Sequence, residues 1–183
     1  MASPFDLITA LYEQRMSDLV QQYNSGQIDL RGLHLSMKEE IRDVFLLQQR
    51  AGSDVDLTAD DFLKLGNPIK QQDRFLSQFM RDVKAGNLSP DAIAARAKLY
   101  AQSSGQMYWL QFTDGLNLPV QPKVGTDCKM RCKCGWRIVR NADGSVDAYW
   151  ELHANESCPT CVERQRLYNP FHVPAPRAER RAA

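Results

Sequence analysis

The sequence lacks the features that would direct it to a membrane or to a polyanion. Its formal net charge is only +1, with 23 basic and 22 acidic side chains, so no overall field favours nucleic acid or a lipid surface. No apolar run approaches the roughly 18 residues that cross a bilayer. The opening stretch MASPFDLITALYEQ carries acids and no basic start, which argues against a signal peptide. These absences predict a protein of the cytosol, or of a particle assembled there.

Signals of catalysis are also missing. The three histidines, His34, His153 and His172, are scattered along the chain. There is no HExxH metal-binding helix, no GxSxG nucleophile turn and no glycine-rich phosphate loop. We therefore expect a protein that is not an enzyme.

Residues 1–113 have the apolar period of helices throughout. In the first segment, apolar side chains from Phe5 to Tyr23 recur at spacings of three and four, which is one face of a helix. Caps, first-turn prolines and glycine stops divide the whole stretch into segments. These signals are Ser3-Pro4, Gly26, Gly52, the capping box TADD at 58–61, Asn67-Pro68, Gly86 and Ser89-Pro90. The fold class is predicted as mainly α, with an N-terminal domain of four to five helices.

The composition changes near Gly115. Residues 114–127 contain two prolines and little helical period, which predicts an extended linker. Two short apolar segments then flank Asp143-Gly144, a strong hairpin-turn signal, so a small β-hairpin module is expected at 128–168. Residues 169–183 hold three prolines and several arginines near the end, which predicts an extended tail that is ordered only when it docks onto another surface.

All five cysteines flank this predicted hairpin, in CKMRCKCGW at 128–136 and CPTC at 158–161. In a reducing compartment, clustered cysteines indicate metal ligands before disulfides. A two-stranded hairpin is marginal in water, whereas four thiolates on Zn²⁺ contribute on the order of 10 kcal/mol or more to the folding of small modules. We expect a zinc ribbon that closes on Zn²⁺ through four of Cys128, Cys132, Cys134, Cys158 and Cys161.

Several alternatives stay open at this site. The sequence does not identify the spare thiol among Cys128, Cys132 and Cys134, because Cys132 and Cys134 would share one face and Cys128 would need a turn to reach it. His153 is a weaker candidate ligand. A disulfide-stapled or free-thiol hairpin is a further possibility. A redox dithiol at CPTC would belong in a βαβ setting, which the sequence does not indicate.

Basic side chains crowd the same module, and the run from Cys128 to Arg140 contains no acid. Such a cluster could bind phosphates, or it could be a solvated face that keeps edge strands from aggregating. The candidate nucleic-acid-binding residues are Lys129, Arg131, Lys133, Arg137 and Arg140. They make a zinc-ribbon nucleic-acid-binding accessory protein the alternative function.

Four stretches carry a family resemblance: residues 66–109, CKMRCKCGWRIV, AYWELHANESCPTC and RLYNPF. Together they resemble small proteins encoded in the head-morphogenesis region of tailed bacteriophages, neighbours or relatives of the Mu-like F type of minor head protein. The resemblance covers most of residues 60–170. The matching positions are Gly66, Gly86, Leu88, Ser89, Arg96, Tyr100, Trp136, Trp150, Cys158 and Cys161.

The resemblance implies a structural component of the virion head, assembled in the host cytoplasm. Such a protein would act through contacts with other head proteins, namely major capsid, portal or minor head subunits. It would be expected in several symmetric copies. Contact with the packaged DNA is a further possibility, and no membrane partner is expected.

Overall fold

A computed structural model describes residues 3–53, 55–153 and 157–175 of the chain. The chain folds as two compact units, Met1–Phe112 and Thr113–Ala183. The first unit is helical and the second holds a small antiparallel sheet. Among the described residues, no helix is both long enough and apolar enough to cross a membrane.

The helical unit confirms the predicted count of four to five helices. Its helices are α1 (Pro4–Asn24), α2 (Leu30–Ala51), α3 (Ala59–Lys84), α4 (Pro90–Ser103) and α5 (Gly105–Phe112). The predicted caps explain where they begin. The Ser3 hydroxyl accepts from the Asp6 backbone N–H while the Asp6 carboxylate accepts from the Ser3 N–H, and Thr58 and Asp61 repeat this arrangement before α3.

The predicted helix start at Asn67-Pro68 is wrong, because α3 continues through Pro68. A proline inside a helix removes one backbone hydrogen bond and costs about 3 kcal/mol or more. Here the buried face of α3 runs past the proline on both sides, from Leu65 to Leu76. Packing of that continuous face against α2 offsets the local cost.

The core of the helical unit contains two fully buried glutamines on α2. The Gln48 amide donates to the backbone O of Phe5 at 3.1 Å. The Gln49 amide donates to the backbone O of Asp61 at 2.8 Å and to Gln111 Oε1 at 3.3 Å. These bonds join α2 to the starts of α1 and α3 and to α5, so polar side chains fix the relative positions of four helices.

The second unit confirms the predicted hairpin. Strands β1 (Gly135–Arg140) and β2 (Val146–Glu151) pair antiparallel, with Trp136 opposite Trp150. Gly144 sits in the turn with φ of +83°, a conformation that glycine adopts without strain. A short 3₁₀ turn, Lys129–Arg131, precedes the sheet, and helix α6 (Pro159–Leu167) follows it.

Two parts of the second unit differ from the sequence-based expectation. The predicted linker at 114–127 belongs to the compact second unit, where the Trp136 indole N–H donates to Val120 O at 3.0 Å and Arg164 donates to Val124 O at 2.7 Å. The predicted tail contributes a third strand, β3 (Phe171–Val173), which pairs with β2 in the order β1-β2-β3. Residues 176–183 of the predicted tail lie outside the described residues.

Candidate metal centre

All five cysteine sulfurs meet in one cluster. They form two overlapping groups of three, Cys128 with Cys158 and Cys161, and Cys132 with Cys134 and Cys161. Within each group the sulfurs all lie within 4.8 Å of one another. Cys161 belongs to both groups and is fully buried. The structure therefore brings together all five cysteines that the sequence predicts as ligands.

The hairpin and its flanking turns place these thiols. Cys128 and Cys132 bound the 3₁₀ turn, in which Lys129 has a left-handed φ of 49°. Cys134 immediately precedes β1, and Cys158 is the N-cap of α6, with Cys161 in the first helical turn. Because β1 and β2 pair in register, the segments before β1 and after β2 lie at the same end of the sheet.

Two sulfur separations across the cluster are close to those around a four-thiolate ion. Cys128 Sγ lies 3.4 Å from Cys158 Sγ, and Cys132 Sγ lies 3.5 Å from Cys161 Sγ. Four sulfurs at about 2.3 Å from a tetrahedral Zn²⁺ would be about 3.8 Å apart. All five cysteines are free thiols in the structure. Two short cross-cluster contacts thus join the segment before β1 to the segment after β2.

Cys134 has a different environment from the other four. The His153 backbone N–H donates to its sulfur at 3.4 Å, and Ser157 Oγ lies 3.7 Å from the same sulfur. The thiol is 1% exposed. His153, the weaker predicted ligand, therefore contacts the cluster through its backbone, and its ring nitrogens belong to neither group of three.

Burial keeps two thiols of the cluster protonated unless a cation displaces their protons. Burial raises the pKa of Cys128 to about 12 and also raises the pKa of Cys161. Burial also tends to raise the pKa of Cys158, but backbone hydrogen bonds with Cys128 and Cys161 lower it to about 7. Buried thiols with raised pKa values release their protons at neutral pH only when a cation replaces them.

Neighbouring contacts hold the two halves of the cluster in place. The Asp127 carboxylate accepts from the Thr160 backbone N–H at 3.1 Å and from Thr160 Oγ1 at 2.6 Å, which ties the start of α6 to the residue before Cys128. These hydrogen bonds lower the pKa of Asp127 below its usual value. Sequence reasoning missed this pair, and the acid adjacent to the first cysteine was the only available signal.

Two buried tryptophans, Trp136 and Trp150, pack together in the hydrophobic core of the second unit. Trp150 is fully buried and meets Trp136 edge-to-face, with ring centroids 5.1 Å apart. The Arg164 guanidinium lies 5.0 Å above the Trp150 ring. The Arg164 guanidinium also donates hydrogen bonds to backbone carbonyls within residues 121–125. One side chain of α6 therefore connects the buried tryptophans to the segment that precedes the cysteines.

The five predicted nucleic-acid-binding residues are all exposed. Arg137 forms an ion pair with Glu151 at 2.6 Å and stacks 4.1 Å from the Tyr149 ring centroid. Because side chains alternate along a strand, Arg140 lies on the opposite face of β1 from Arg137. Lys129 and Arg131 lie on the 3₁₀ turn, and Lys133 lies between that turn and β1.

The setting of CPTC is part of what a redox dithiol would need. A helix does begin at Pro159, with Cys158 at its N-cap. The strands, however, form an antiparallel sheet rather than a βαβ unit.

Comparison of the chain with models of protein families, with curated proteins and with solved structures finds no match.

Proposed function

We propose that the protein is a non-catalytic structural component of a bacteriophage head, whose C-terminal unit is clamped by zinc and makes contacts with other head proteins. The cluster of five thiols is the observation that carries the metal assignment. The head assignment is supported by the family resemblance of residues 60–170. The partners would be major capsid, portal or minor head subunits, with the chain in several symmetric copies.

Zinc is the metal that best suits this donor set. Soft thiolates in a tetrahedral arrangement favour Zn²⁺ over the oxygen-seeking Mg²⁺ and Ca²⁺. A site closed by four thiolates leaves no coordination position for water or substrate, which supports a structural role. The ion would supply the folding free energy that a three-stranded sheet of this size does not obtain from burial alone.

The ligands in this proposal are Cys128, Cys132, Cys158 and Cys161. These residues form the two short sulfur contacts that cross the cluster. Cys134 is the fifth thiol, held by the backbone N–H of His153 and the hydroxyl of Ser157. A four-coordinate ion does not need it.

Serine substitutions distinguish the fifth thiol from a ligand. Cys134→Ser is expected to retain close to one zinc per chain, whereas Cys128→Ser is expected to lose most of it, because only the second change removes a ligand. Zinc is measured by elemental mass spectrometry on purified protein, after removal of loosely bound metal. The reverse order, with zinc lost from Cys134→Ser and kept by Cys128→Ser, would show that the ligand set is misassigned.

The head assignment is tested on particles of the phage that encodes the chain. Purified heads should contain the protein in a fixed number of copies per particle, measured by quantitative mass spectrometry. Cys161→Ser, introduced into that phage, should deplete the protein from the particles, because the unit proposed to contact other subunits loses its clamp. A protein that is abundant in lysates and absent from purified heads would contradict the proposal.

A further inference from the structure

The outer edge of β1 is the longer unpaired edge of the sheet. The order β1-β2-β3 gives β1 one neighbour, and among the described residues no other strand pairs with it. The opposite edge is β3, which has only three residues and is followed by Pro174. Short strands and prolines block strand addition, so β1 is the edge that can accept another strand.

The hydrogen-bonding phase of the hairpin identifies the free backbone groups on this edge. Asn141 N donates to Ser145 O at 2.9 Å, so Asn141 and Ser145 form a hydrogen-bonded pair of the hairpin. Such pairs recur at every second residue of an antiparallel ladder, so Val139 and Arg137 also form backbone hydrogen bonds with β2. The peptide groups of Ile138 and Arg140 therefore point away from β2. Trp150 of β2 agrees with this alternation, because its backbone N–H faces away from β1 and donates to Tyr168 O at 3.0 Å.

The charge along this edge indicates the chemistry of a partner. Residues 129–140 hold five basic side chains and no acid, and Arg137 of β1 pairs with Glu151 at the end of β2. Val139 is 36% exposed and lies on the same face of β1 as Arg137, while half-buried Ile138 shares the opposite face with Arg140, so each face offers one basic and one apolar contact. An extended segment that repeats two acidic and two aliphatic residues carries both kinds in turn on each of its faces, and would match both features.

We propose that the outer edge of β1 binds an extended acidic segment of a partner protein, which joins the sheet as a fourth strand. Main-chain bonds to Ile138 and Arg140 would supply affinity, and the basic side chains would select an acidic sequence. The same charges disfavour pairing with a second copy of this chain, since two basic runs would be brought together. This inference deepens the proposed function and rests on it, because the zinc-clamped unit holds the edge in shape.

The test uses the full chain and a synthetic eight-residue peptide that repeats the order glutamate, glutamate, valine, valine. The control peptide has the same sequence with N-methyl groups across its central residues, which keeps its charge and removes its backbone donors. The first peptide is expected to bind and to slow hydrogen exchange at the amides of Ile138 and Arg140, while the amide of Val139 is already bonded to β2. The control peptide is expected not to bind.

A pair of variants at Arg140 separates the contribution of the backbone hydrogen bond to peptide binding from the contribution of the charge. Arg140→Pro removes an outward N–H and Arg140→Gln keeps it, while both remove the same charge. We expect Arg140→Pro to bind the peptide about tenfold more weakly than Arg140→Gln, the effect of one lost backbone hydrogen bond. Equal binding by the two variants, or by the two peptides, would overturn strand addition.

Further outcomes identify other occupants and separate this inference from the zinc proposal. Tighter binding of a short DNA duplex than of the peptide, at the same residues, would overturn it in favour of nucleic acid. A concentration-dependent dimer that Arg140→Pro abolishes would overturn it in favour of a second copy. A protein with one zinc per chain that does not bind the peptide would contradict this inference alone, and a folded protein without zinc would contradict only the metal assignment.

Discussion

Replacing Cys161 by serine is expected to release the metal and unfold the C-terminal unit while the helical unit stays folded. Cys161 is fully buried and belongs to both groups of three thiols, so its role does not depend on which other thiol is spare. Zinc contributes on the order of 10–16 kcal/mol to small metal-dependent modules, and whole domains are stable by only about 5–15 kcal/mol. Loss of the ion should therefore exceed what the three-stranded sheet can retain.

The helical unit serves as an internal reference for this experiment. All buried residues of its core cluster lie between Tyr12 and Met107, within the helical unit itself. Two-dimensional amide NMR spectra should lose dispersion for residues of the sheet, and the helical far-UV signal should remain largely intact. Val162→Ser is the matched control, because it places the same new side chain one residue further along α6 at a position that is 50% exposed.

Three results would contradict this expectation in different ways. Zinc retained by Cys161→Ser would remove Cys161 from the ligand set. A dispersed sheet spectrum after complete removal of zinc would show that the unit folds without metal. Loss of the helical signal together with the sheet would show that the two units share their stability.

The parts of the fold that the sequence could predict depend on local signals. Ser3 and Thr58 begin helices through hydrogen bonds that span three residues, and Asp143-Gly144 makes a turn that needs no distant partner. The meeting of the five thiols follows from the same turn, since a hairpin returns its two ends to one place. These features depend on nearest neighbours along the chain, so a single sequence contains them.

The parts that could not be predicted depend on distant packing. Asn67-Pro68 is a valid helix start locally, and only the continuous buried face on either side carries α3 through it. Strand β3 is three residues long, which is too short to show a period of two. The position of Cys128 depends on the left-handed φ of Lys129, which the side-chain sequence does not specify.

The second large effect is expected at Gly52, where α2 ends against α5. Its backbone has an ordinary φ of −83°, so the requirement for glycine is one of space rather than conformation. A Cβ there would lie 2.3 Å from the backbone O of Tyr108 and 3.1 Å from the backbone N of Phe112. Gly52→Ala must therefore displace α5, and with it the stacked rings of Tyr108 and Phe112 and the bond from Gln49 to Gln111.

We expect Gly52→Ala to lower the free energy of unfolding of the helical unit by about 2–3 kcal/mol, near the upper end for overpacked sites, because backbone rather than a flexible side chain has to move. Gly66→Ala is the matched control: this glycine lies inside α3, and an added Cβ meets nothing within 4 Å. Alanine there should raise stability by roughly 0.5–1 kcal/mol through helix propensity. Urea unfolding followed by far-UV circular dichroism measures both changes. Equal effects of the two variants would mean that α5 does not pack against the end of α2, and would remove the reason for a glycine at residue 52.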